Sequence, residues 1–437
     1  CIEDEIPFEL PEGWEWCRFT SVTVNRDSER KPISSANRTN VAKIYDYYGA
    51  SGKIDKIDKF IFNEKLLLIG EDGANLVTRS KPIAFFAEGQ YWVNNHAHCI
   101  DSTDKLILEY LCLYINAISL EKYVTGSAQP KMTQDNMNSI LIALPPYEEQ
   151  KRLEFQVNHI LKTVSTIENE KEDIVNYIIS AKSKILDLAI RGKLVPQDSN
   201  DEPASVLLER IRAEKEELIK QGKIKRDKKE SIIFKGEDNS YYEKVGVEIR
   251  CIDSEIPFEI PDGWMYEILG NICSIARGGS PRPIENYLTD DENGLNWIKI
   301  GDTEQGGKYI YSTKEKIRPE GLSKTRYVCS GDFLLTNSMS FGRPYILRTN
   351  GCIHDGWLVI GGIEIAFHQD YLYYMLSSSI MYNALSSLAV GSTVKNLKSD
   401  SVKSLLVPIP PLAEQACISR QIENYFATML PIERSLS

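Results

Sequence analysis

From Leu153 onward, apolar or small residues recur at Val157, Ile160, Val164, Ile167, Ile174, Ile178, Ala181, Ile185 and Leu188. The steps alternate four and three, with one lapse at Lys171. A heptad seam held that long predicts a helix over Tyr147 to Arg191, laid along a partner helix. Pro145 and Pro146 precede it, Glu148 and Glu149 suit the positive end of its dipole, and Gly192 is placed as a C-terminal cap. At 1.5 Å per residue such a rod is on the order of 65 Å long and separates whatever lies on either side. Elsewhere the apolar runs are short. Lys65–Ile69 and Pro82–Phe86 before the rod, and Trp297–Ile300, Phe333–Thr336 and Trp357–Ile360 after it, read as strands. Asp104–Val124 and Asp370–Leu388 read as helices, and Ala204 to about Gln221 as a charged helix in a connector spanning Gly192–Arg250.

The pattern occurs twice. Cys1-Ile-Glu-Asp-Glu-Ile-Pro-Phe-Glu-Leu-Pro-Glu-Gly-Trp14 returns at Cys251–Trp264 with ten of fourteen positions identical. Ser139–Gln150 returns as Ser404–Gln415, so the offset grows from 250 to 265 and the second copy carries about fifteen extra residues. The seam returns as Ile418, Ile422, Tyr425, Met429 and Ile432, in a shorter helix that Pro431 is predicted to interrupt. The fold class is therefore α/β: two mixed α/β recognition segments separated by long coiled-coil helices. The predicted domains are 1–144, a central helical region 145–250, 251–409, and a short C-terminal helix 410–437. The second helix, in matching register, is the predicted partner of the first half of the rod. The seam beyond Ile167 then needs another partner, such as the connector helix near Leu207–Leu218, a second copy or another subunit.

Composition changes this picture little. A 42% hydrophobic and 26% charged chain of 437 residues has room for two to four domains. The nine cysteines are scattered with no Cys-x-x-Cys pair, which fits a reduced, cytoplasmic setting, and no apolar run approaches a membrane span. The chain begins with Cys, as a fragment would. A net charge of −11 argues weakly against nucleic acid. Yet Cys17–Ile140 holds 15 Lys+Arg against 14 Asp+Glu, and Met265–Lys403 holds 14 against 14, so the acidic excess lies in the connecting parts.

Leu10-Pro-Glu-Gly-Trp-Glu-Trp16 opens the first segment and Leu144-Pro-Pro-Tyr-Glu-Glu-Gln150 closes it. Arg191-Gly-Lys-Leu-Val-Pro-Gln-Asp-Ser-Asn-Asp-Glu-Pro203 and Leu208–Leu218 follow. In this order, and with the flanking motifs duplicated, they resemble the specificity subunit of Type I restriction-modification systems across essentially the whole chain. The resemblance implies two target recognition domains, each reading one half of a bipartite asymmetric site in double-stranded DNA. It also implies a non-catalytic chain that assembles with two methyltransferase subunits and with restriction subunits. S-adenosylmethionine, Mg and ATP are then expected on those partners, with none bound by this chain, in the DNA-associated bacterial or archaeal cytoplasm. The residues agree with the non-catalytic part. Leu144-Pro-Pro-Tyr147 has the outline of an amino-methyltransferase loop but lacks its polar first residue, and it reads as a strand end meeting a helix start. No nucleotide-binding glycine fingerprint is present. The rival readings are a coiled-coil assembly scaffold without nucleic acid and, more remotely, a methyltransferase in its own right.

The candidate DNA contacts are loop residues able to reach phosphates or base edges. In the first copy they are Asn75, Arg79 and Lys81, then Asn94, Asn95 and His96, and Lys131. In the second they are Arg277, Ser280 and Arg282 in a Gly-rich loop, Asn337, Ser338 and Arg343 after a strand, and Lys395 and Lys398. The loop Thr125–Lys131 and its match Val390–Lys398 are shared between copies, which suits backbone contact or support of the fold more than base reading. His96-Ala-His98 stands in neither a helical pair nor a cysteine cluster, so no metal site is predicted. The Lys/Arg run Lys223–Lys229 contains Asp227 and reads as a solvated face.

Overall fold

The computed structural model describes residues 5–126, 128–223, 231–304, 306–338, 341–389 and 396–436. It divides into two compact units, Cys1–Asn169 and Glu170–Ser437. In the first unit, β1 (Glu15–Arg18) pairs antiparallel with β10 (Leu141–Leu144), joining the two ends of the segment. Between them lie two four-stranded sheets. One has the order β2 (Val24–Asn25), β9 (Ala97–Asp101), β6 (Leu66–Gly70), β7 (Ala84–Ala87). The other has the order β4 (Gly52–Ile57), β3 (Tyr45–Gly49), β8 (Gln90–Val93), β5 (Phe62–Asn63). Strand β6 reads Leu-Leu-Leu-Ile-Gly and is buried throughout because it has a core on each face. Leu67 and Ile69 join Leu108, Leu111 and Ile115 of helix α1 (Lys105–Ala117), while Leu66 and Leu68 join Phe62, Tyr91 and Val93. Side chains alternate across a strand, so one run of five residues holds both layers, each buried side chain contributing roughly 1.5–3 kcal/mol.

The second unit repeats this plan with one edge strand, β18 (Tyr309–Ile310) or β16 (Leu288–Thr289), added to each of its two sheets. After β11 (Ser231–Lys235), β12 (Tyr241–Val245) and β13 (Glu248–Cys251), the recognition segment opens with β14 (Met265–Ile268), paired to β25 (Leu406–Ile409) as β1 is to β10. Its first sheet is β15 (Ser274–Arg277), β24 (Trp357–Gly361), β21 (Phe333–Thr336), β22 (Pro344–Leu347), extended by β18 (Tyr309–Ile310). Its second is β16 (Leu288–Thr289), β19 (Glu315–Ile317), β17 (Leu295–Ile298), β23 (Gly351–Ile353), β20 (Arg326–Val328). The parallel pair β3–β8 recurs as β17–β23. The two-residue turn between β3 and β4 becomes the sixteen residues 299–314, which contain β18 and account for nearly all of the second copy's extra length.

The long helix, α2, runs Tyr147–Ile190 over 44 residues. Gly192 ends it at φ +65°, with Lys193 N–H donating to Leu188 O at 2.9 Å and Gly192 N–H to Ala189 O at 3.1 Å. Helix α3 (Ala204–Lys220) matches the connector helix read from the sequence. The predicted single helix 370–388 is two, α4 (Gln369–Ser377) and α5 (Ser379–Leu388), because the Ser378 hydroxyl caps the second by accepting from Met381 N–H at 3.3 Å. Helix α6 (Leu412–Leu436) passes through Pro431 without a break, contrary to the sequence expectation.

One further expectation is corrected. The connector reads as helix plus polar tail, but 231–251 is a three-stranded antiparallel sheet. Ile233 packs in one core with Leu207, Leu208 and Ile211 of α3, so the connector is part of the second unit. The seam beyond Ile167 meets one of its expected partners, the connector helix α3, and a second, α6. Within the second unit, α6 meets the later half of α2: Lys182 Nζ lies 2.6 Å from Glu433 Oε1 and over the Phe426 ring. Ile178 is buried, and Leu186, Ala189 and Ile190 are buried in a core that α3 shares. On the stretch of α2 in the first unit, Ile160, Val164 and Ile167 are each about half exposed (56%, 46% and 59%). A heptad pattern reports that a face is apolar and leaves open which neighbour covers it.

A Cβ at Gly192 would lie 2.3 Å from Pro261 Cγ and 2.8 Å from its Cδ, in a backbone conformation that side chains disfavour. Gly192→Ala is expected to lower the stability of the second unit by about 2 kcal/mol or more, combining left-handed strain with overpacking. Urea unfolding monitored by tryptophan fluorescence measures it.

Candidate nucleic-acid interface

The two copies place equivalent turns at the same end of their first sheets. Between β8 and β9 the turn is Asn94-Asn95-His96; between β23 and β24 it is His354-Asp355-Gly356. The residue after β6, Glu71, donates its N–H to His96 O at 2.9 Å, as Asn337 after β21 does to Gly356 O at 2.9 Å. The carbonyls of Glu71 and Asn337 accept from Met132 (2.7 Å) and Leu397 (2.8 Å), residues that match across the repeat. One backbone cradle, made by a strand end, a neighbouring turn and the shared loop, is thus built twice.

In the second copy the cradle gathers around Asp355. Arg277 Nε donates to Asp355 O (2.8 Å), and so does Asn337 Nδ2 (2.8 Å). Ser280 Oγ donates to Oδ1 (2.8 Å), and Arg282 Nη2 lies 3.3 Å from Oδ2. Partial burial works to raise the Asp355 carboxyl, but the Ser280 hydroxyl and the charges of His354, Arg277 and Arg282 hold it below its ordinary value. Burial pushes the His354 imidazole down. Arg282 remains 79% exposed, and Asn337 is fully buried with its Oδ1 unpaired. Arg343 and Lys398 are exposed and Ser338 is half-buried. Arg343 N–H is held by Thr336 Oγ1 at 2.9 Å.

In the first copy the same place is anionic and more deeply tied. Glu71 pairs with Arg30 (2.6 Å) and Lys131 (3.1 Å). His96 Nδ1 lies 2.7 Å from Asp72 Oδ2. Behind them His98, 1% exposed, spans Asp27 Oδ2 (2.6 Å) and Met132 O (2.9 Å), so both ring nitrogens are engaged. Asn94 is buried and its Oδ1 accepts from His96 N–H (2.8 Å), while Asn95 and His96 are exposed at the turn.

Several sequence candidates have structural tasks instead. The Arg79 guanidinium donates to Ile115 O (3.1 Å), Asn116 O (2.7 Å) and Ile118 O, satisfying carbonyls at the end of α1. Asn75 closes its loop through Nδ2 to Lys81 O (3.1 Å) and through Oδ1, which accepts from Lys81 N–H (3.0 Å). That leaves the exposed Lys81 side chain as the projecting group. Lys395, like residues 224–229 of the basic run, lies outside the described residues.

Carboxylates, absent from the predicted set of cations and amides, organise both cradles: Asp355 in one, Glu71, Asp72 and Asp27 in the other, where Arg30 completes the group.

Asp27 feels burial acting to raise it, but the His98 ring, the Cys99 N–H and Arg30 together lower it. A carboxyl lowered in the folded state adds stability above its unfolded value, and that stability is lost as pH falls through the folded value. The first unit should therefore weaken on acidification below about pH 4. Asp27→Asn should cost about 3 kcal/mol at neutral pH and flatten that acid limb. Urea midpoints measured along a pH series, with and without the substitution, read both effects.

The profile of the family described as "Type I restriction modification DNA specificity domain" matches residues 11–185 and 261–436. The chain is 27% identical over 506 aligned positions to the Type I restriction enzyme EcoEI specificity subunit of Escherichia coli, covering 97% of this chain and 79% of that protein. It is 28% identical to the EcoAI specificity subunit of Escherichia coli over 63% of this chain, spanning about half (54%) of that relative. A solved chain from "Structural basis underlying complex assembly and conformational transition of the type I R-M system" superposes with a TM-score of 0.57 at 16% identity, over 98% of this chain and 94% of that one. That likeness shows the shared fold. With both halves matched by the family profile, each on its own copy of the same cradle, this chain belongs to the Type I restriction-modification DNA specificity family.

Proposed function

We propose that the chain is the sequence-reading subunit of a Type I restriction-modification enzyme, each recognition segment reading one half of a bipartite, asymmetric duplex site. The observation that carries this is the pair of cradles: alike in two main-chain hydrogen bonds, unlike in side chains. One presents Arg277, Ser280 and Arg282 around Asp355; the other presents His96, Asn95 and Lys131 around Asp72 and Glu71. In the major groove each base pair has its own donor–acceptor pattern, so one scaffold with two side-chain sets specifies two different half-sites. Arg and Lys around the rim set register on phosphates.

On this reading the chain performs no bond chemistry. Leu144-Pro-Pro-Tyr147 is the junction of β10 with α2, which supports a structural role for that motif. Methyltransferase subunits would bring S-adenosylmethionine and methylate an adenine in each half. Restriction subunits would bring ATP- and Mg-dependent cleavage.

Arg277→Ala with Arg282→Ala should weaken binding at one half-site by about 1–3 kcal/mol for each base no longer read, and relax specificity there alone. Gel shifts of the assembled enzyme on targets mutated in either half test this; equal loss at both halves would refute modular reading. Asp355→Ala separates charge from positioning. Removing an anion should raise affinity for random DNA, while the loosened Arg282 and Ser280 lose discrimination. The ratio of specific to non-specific binding at fixed salt should fall even as non-specific affinity rises.

A further inference from the structure

Each cradle leans on a histidine, and the two histidines stand among opposite kinds of partner. In the first copy His98 lies on β9 and is 1% exposed. Its Nδ1 is 2.6 Å from Asp27 Oδ2 and its Nε2 is 2.9 Å from Met132 O. A main-chain carbonyl only accepts. So does an ionised carboxylate, and the Asp27 carboxyl is held below its ordinary value. Only a ring that carries both protons makes both bonds at once. Met132 is thereby held from two sides, since its own N–H donates to Glu71 O at 2.7 Å. Just before it, Lys131 closes the shared loop by exchanging two main-chain bonds with Thr125, both of 2.8 Å.

In the second copy His354 opens the turn before β24. Its Nδ1 accepts from Gly356 N–H at 2.6 Å, and its Nε2 lies 3.3 Å from the Ile300 nitrogen. Both neighbours are donors. A neutral ring offers one lone pair, which the shorter bond takes, and an imidazolium offers none. The ring lies so close over Gly356 that a Cβ there would stand 2.7 Å from Nδ1. The repeat shows what each histidine replaces. Asn94 holds the matching turn of the first copy, its Oδ1 accepting from His96 N–H at 2.8 Å. Leu358 stands at the place of His98, paired with Leu335 as His98 is with Ile69. Each copy therefore has a titratable link where the other has one that does not titrate.

We propose that His98 and His354 are positioning residues for the two half-sites and act in opposite charge states. The protonated His98 ring pins Met132, and with it the loop that carries Lys131. The neutral His354 ring shapes the turn that sets Asp355, and through it Ser280 and Arg282. The inference rests on the half-site reading given above. Reading of the first half is then lost as pH rises, and reading of the second as pH falls. Around His98 stand Asp27 and Glu71, the latter 3.9 Å from Nδ1, with Arg30 and Lys131 paired to Glu71 and His96 to Asp72. Burial pushes the adjacent Cys99 thiol up to about 12, so of these groups only the two histidines titrate near neutrality. Around His354 stand Asp355, 3.8 Å from Nδ1, and Lys299, Asp302 and Arg277. Burial lowers the imidazole, the two carboxylates oppose this, and Lys299 and Arg277 assist it. A histidine that the fold keeps neutral yields its bond only below the ordinary value of about pH 6.5.

The test is fluorescence anisotropy on the chain assembled with its methyltransferase subunits, from about pH 5 to about pH 9. The probes are the duplex that methylome sequencing identifies and versions of it mutated in one half. Discrimination at the first half should fall about 10-fold above neutrality, and at the second about 10-fold below about pH 6, the scale of one lost buried bond. His98→Gln should hold the first half low throughout and erase its alkaline limb, with the acid limb of the second half still present. His354→Asn supplies the acceptor that Asn94 provides and should erase that acid limb, whereas His354→Leu should depress the second half at every pH. Histidine-selective heteronuclear NMR of the full chain, assigned with the same substitutions, gives a readout free of DNA. At neutral pH it should show both ring nitrogens protonated on His98 and one on His354. Other protonation states, limbs shared equally by both halves, or an alkaline limb that survives His98→Gln overturn the proposal. The expected spectra without sequence-selective binding at any pH would overturn the half-site reading, and the proposal with it.

Discussion

Each recognition segment depends on one closure: the indole of its first tryptophan bonded to a glutamate in the first turn of the helix that follows the segment. Trp14 reaches Glu149 across 135 residues, and Trp264 reaches Glu414 across 150. Beside each bond the first and last strands pair, Glu15–Arg18 with Leu141–Leu144 and Met265–Ile268 with Leu406–Ile409. The Pro-Pro step then fixes where the helix starts, with Gln150 Nε2 on Pro145 O (2.9 Å) and Gln415 Nε2 on Pro410 O (3.1 Å). A segment whose two ends are tied together enters and leaves its helical frame at one place. Everything between can then vary in length and side chains without moving the frame. The fourteen additional residues between β17 and β19 are such a variation, taken up as an extra edge strand.

Closure also explains what was legible in the sequence. The residues that tie the ends must be the same in both copies, because they face the same local geometry. Trp14/Trp264, Pro145/Pro410 and Gln150/Gln415 therefore surfaced as a repeat, and the α/β class, the long helix and its glycine cap followed from periodicity. What covers an apolar face is not a local property. The seam of α2 announced an apolar stripe over its whole length, yet the core it shares with α3 takes in its last turns, from Ile185 onward. The sheet 231–251 was missed for a related reason: its strands are short, and one face of each carries Lys, Glu or Arg, so nothing in the alternation rose above that of a polar connector.

The recognition cradles were the least legible part. Ligand chemistry favours cations and amides as DNA contacts, and on that basis Arg79 and Asn75 looked like readers. Arg79 instead holds the end of α1, and Asn75 clasps its own loop. The groups that aim the projecting side chains are acids. A carboxylate is a poor neighbour for a phosphate, but it is an effective anchor for an arginine and a serine at once, because both of its oxygens accept, while the Asp355 main-chain carbonyl holds Arg277. Asp355 uses that capacity fully.

The two cradles show how one fold is given two specificities. The main-chain bonds from Glu71 to His96 and Met132, and from Asn337 to Gly356 and Leu397, involve no side chain and survive any substitution that leaves the turn intact. Side chains are then free to differ, and they do: a buried carboxylate with Arg30 and Lys131 in one copy, a buried amide beside Asp355 in the other. The price is that each side-chain set must neutralise itself locally, since the cradle is partly closed to water and an unpaired charge there is costly. Glu71 meets that condition with two cations, and Asp355 with Ser280 and two guanidinium groups. Changing what one cradle reads therefore requires coordinated replacement of a whole charge set rather than of a single residue, whereas the closure at Trp14 or Trp264 can be left as it is.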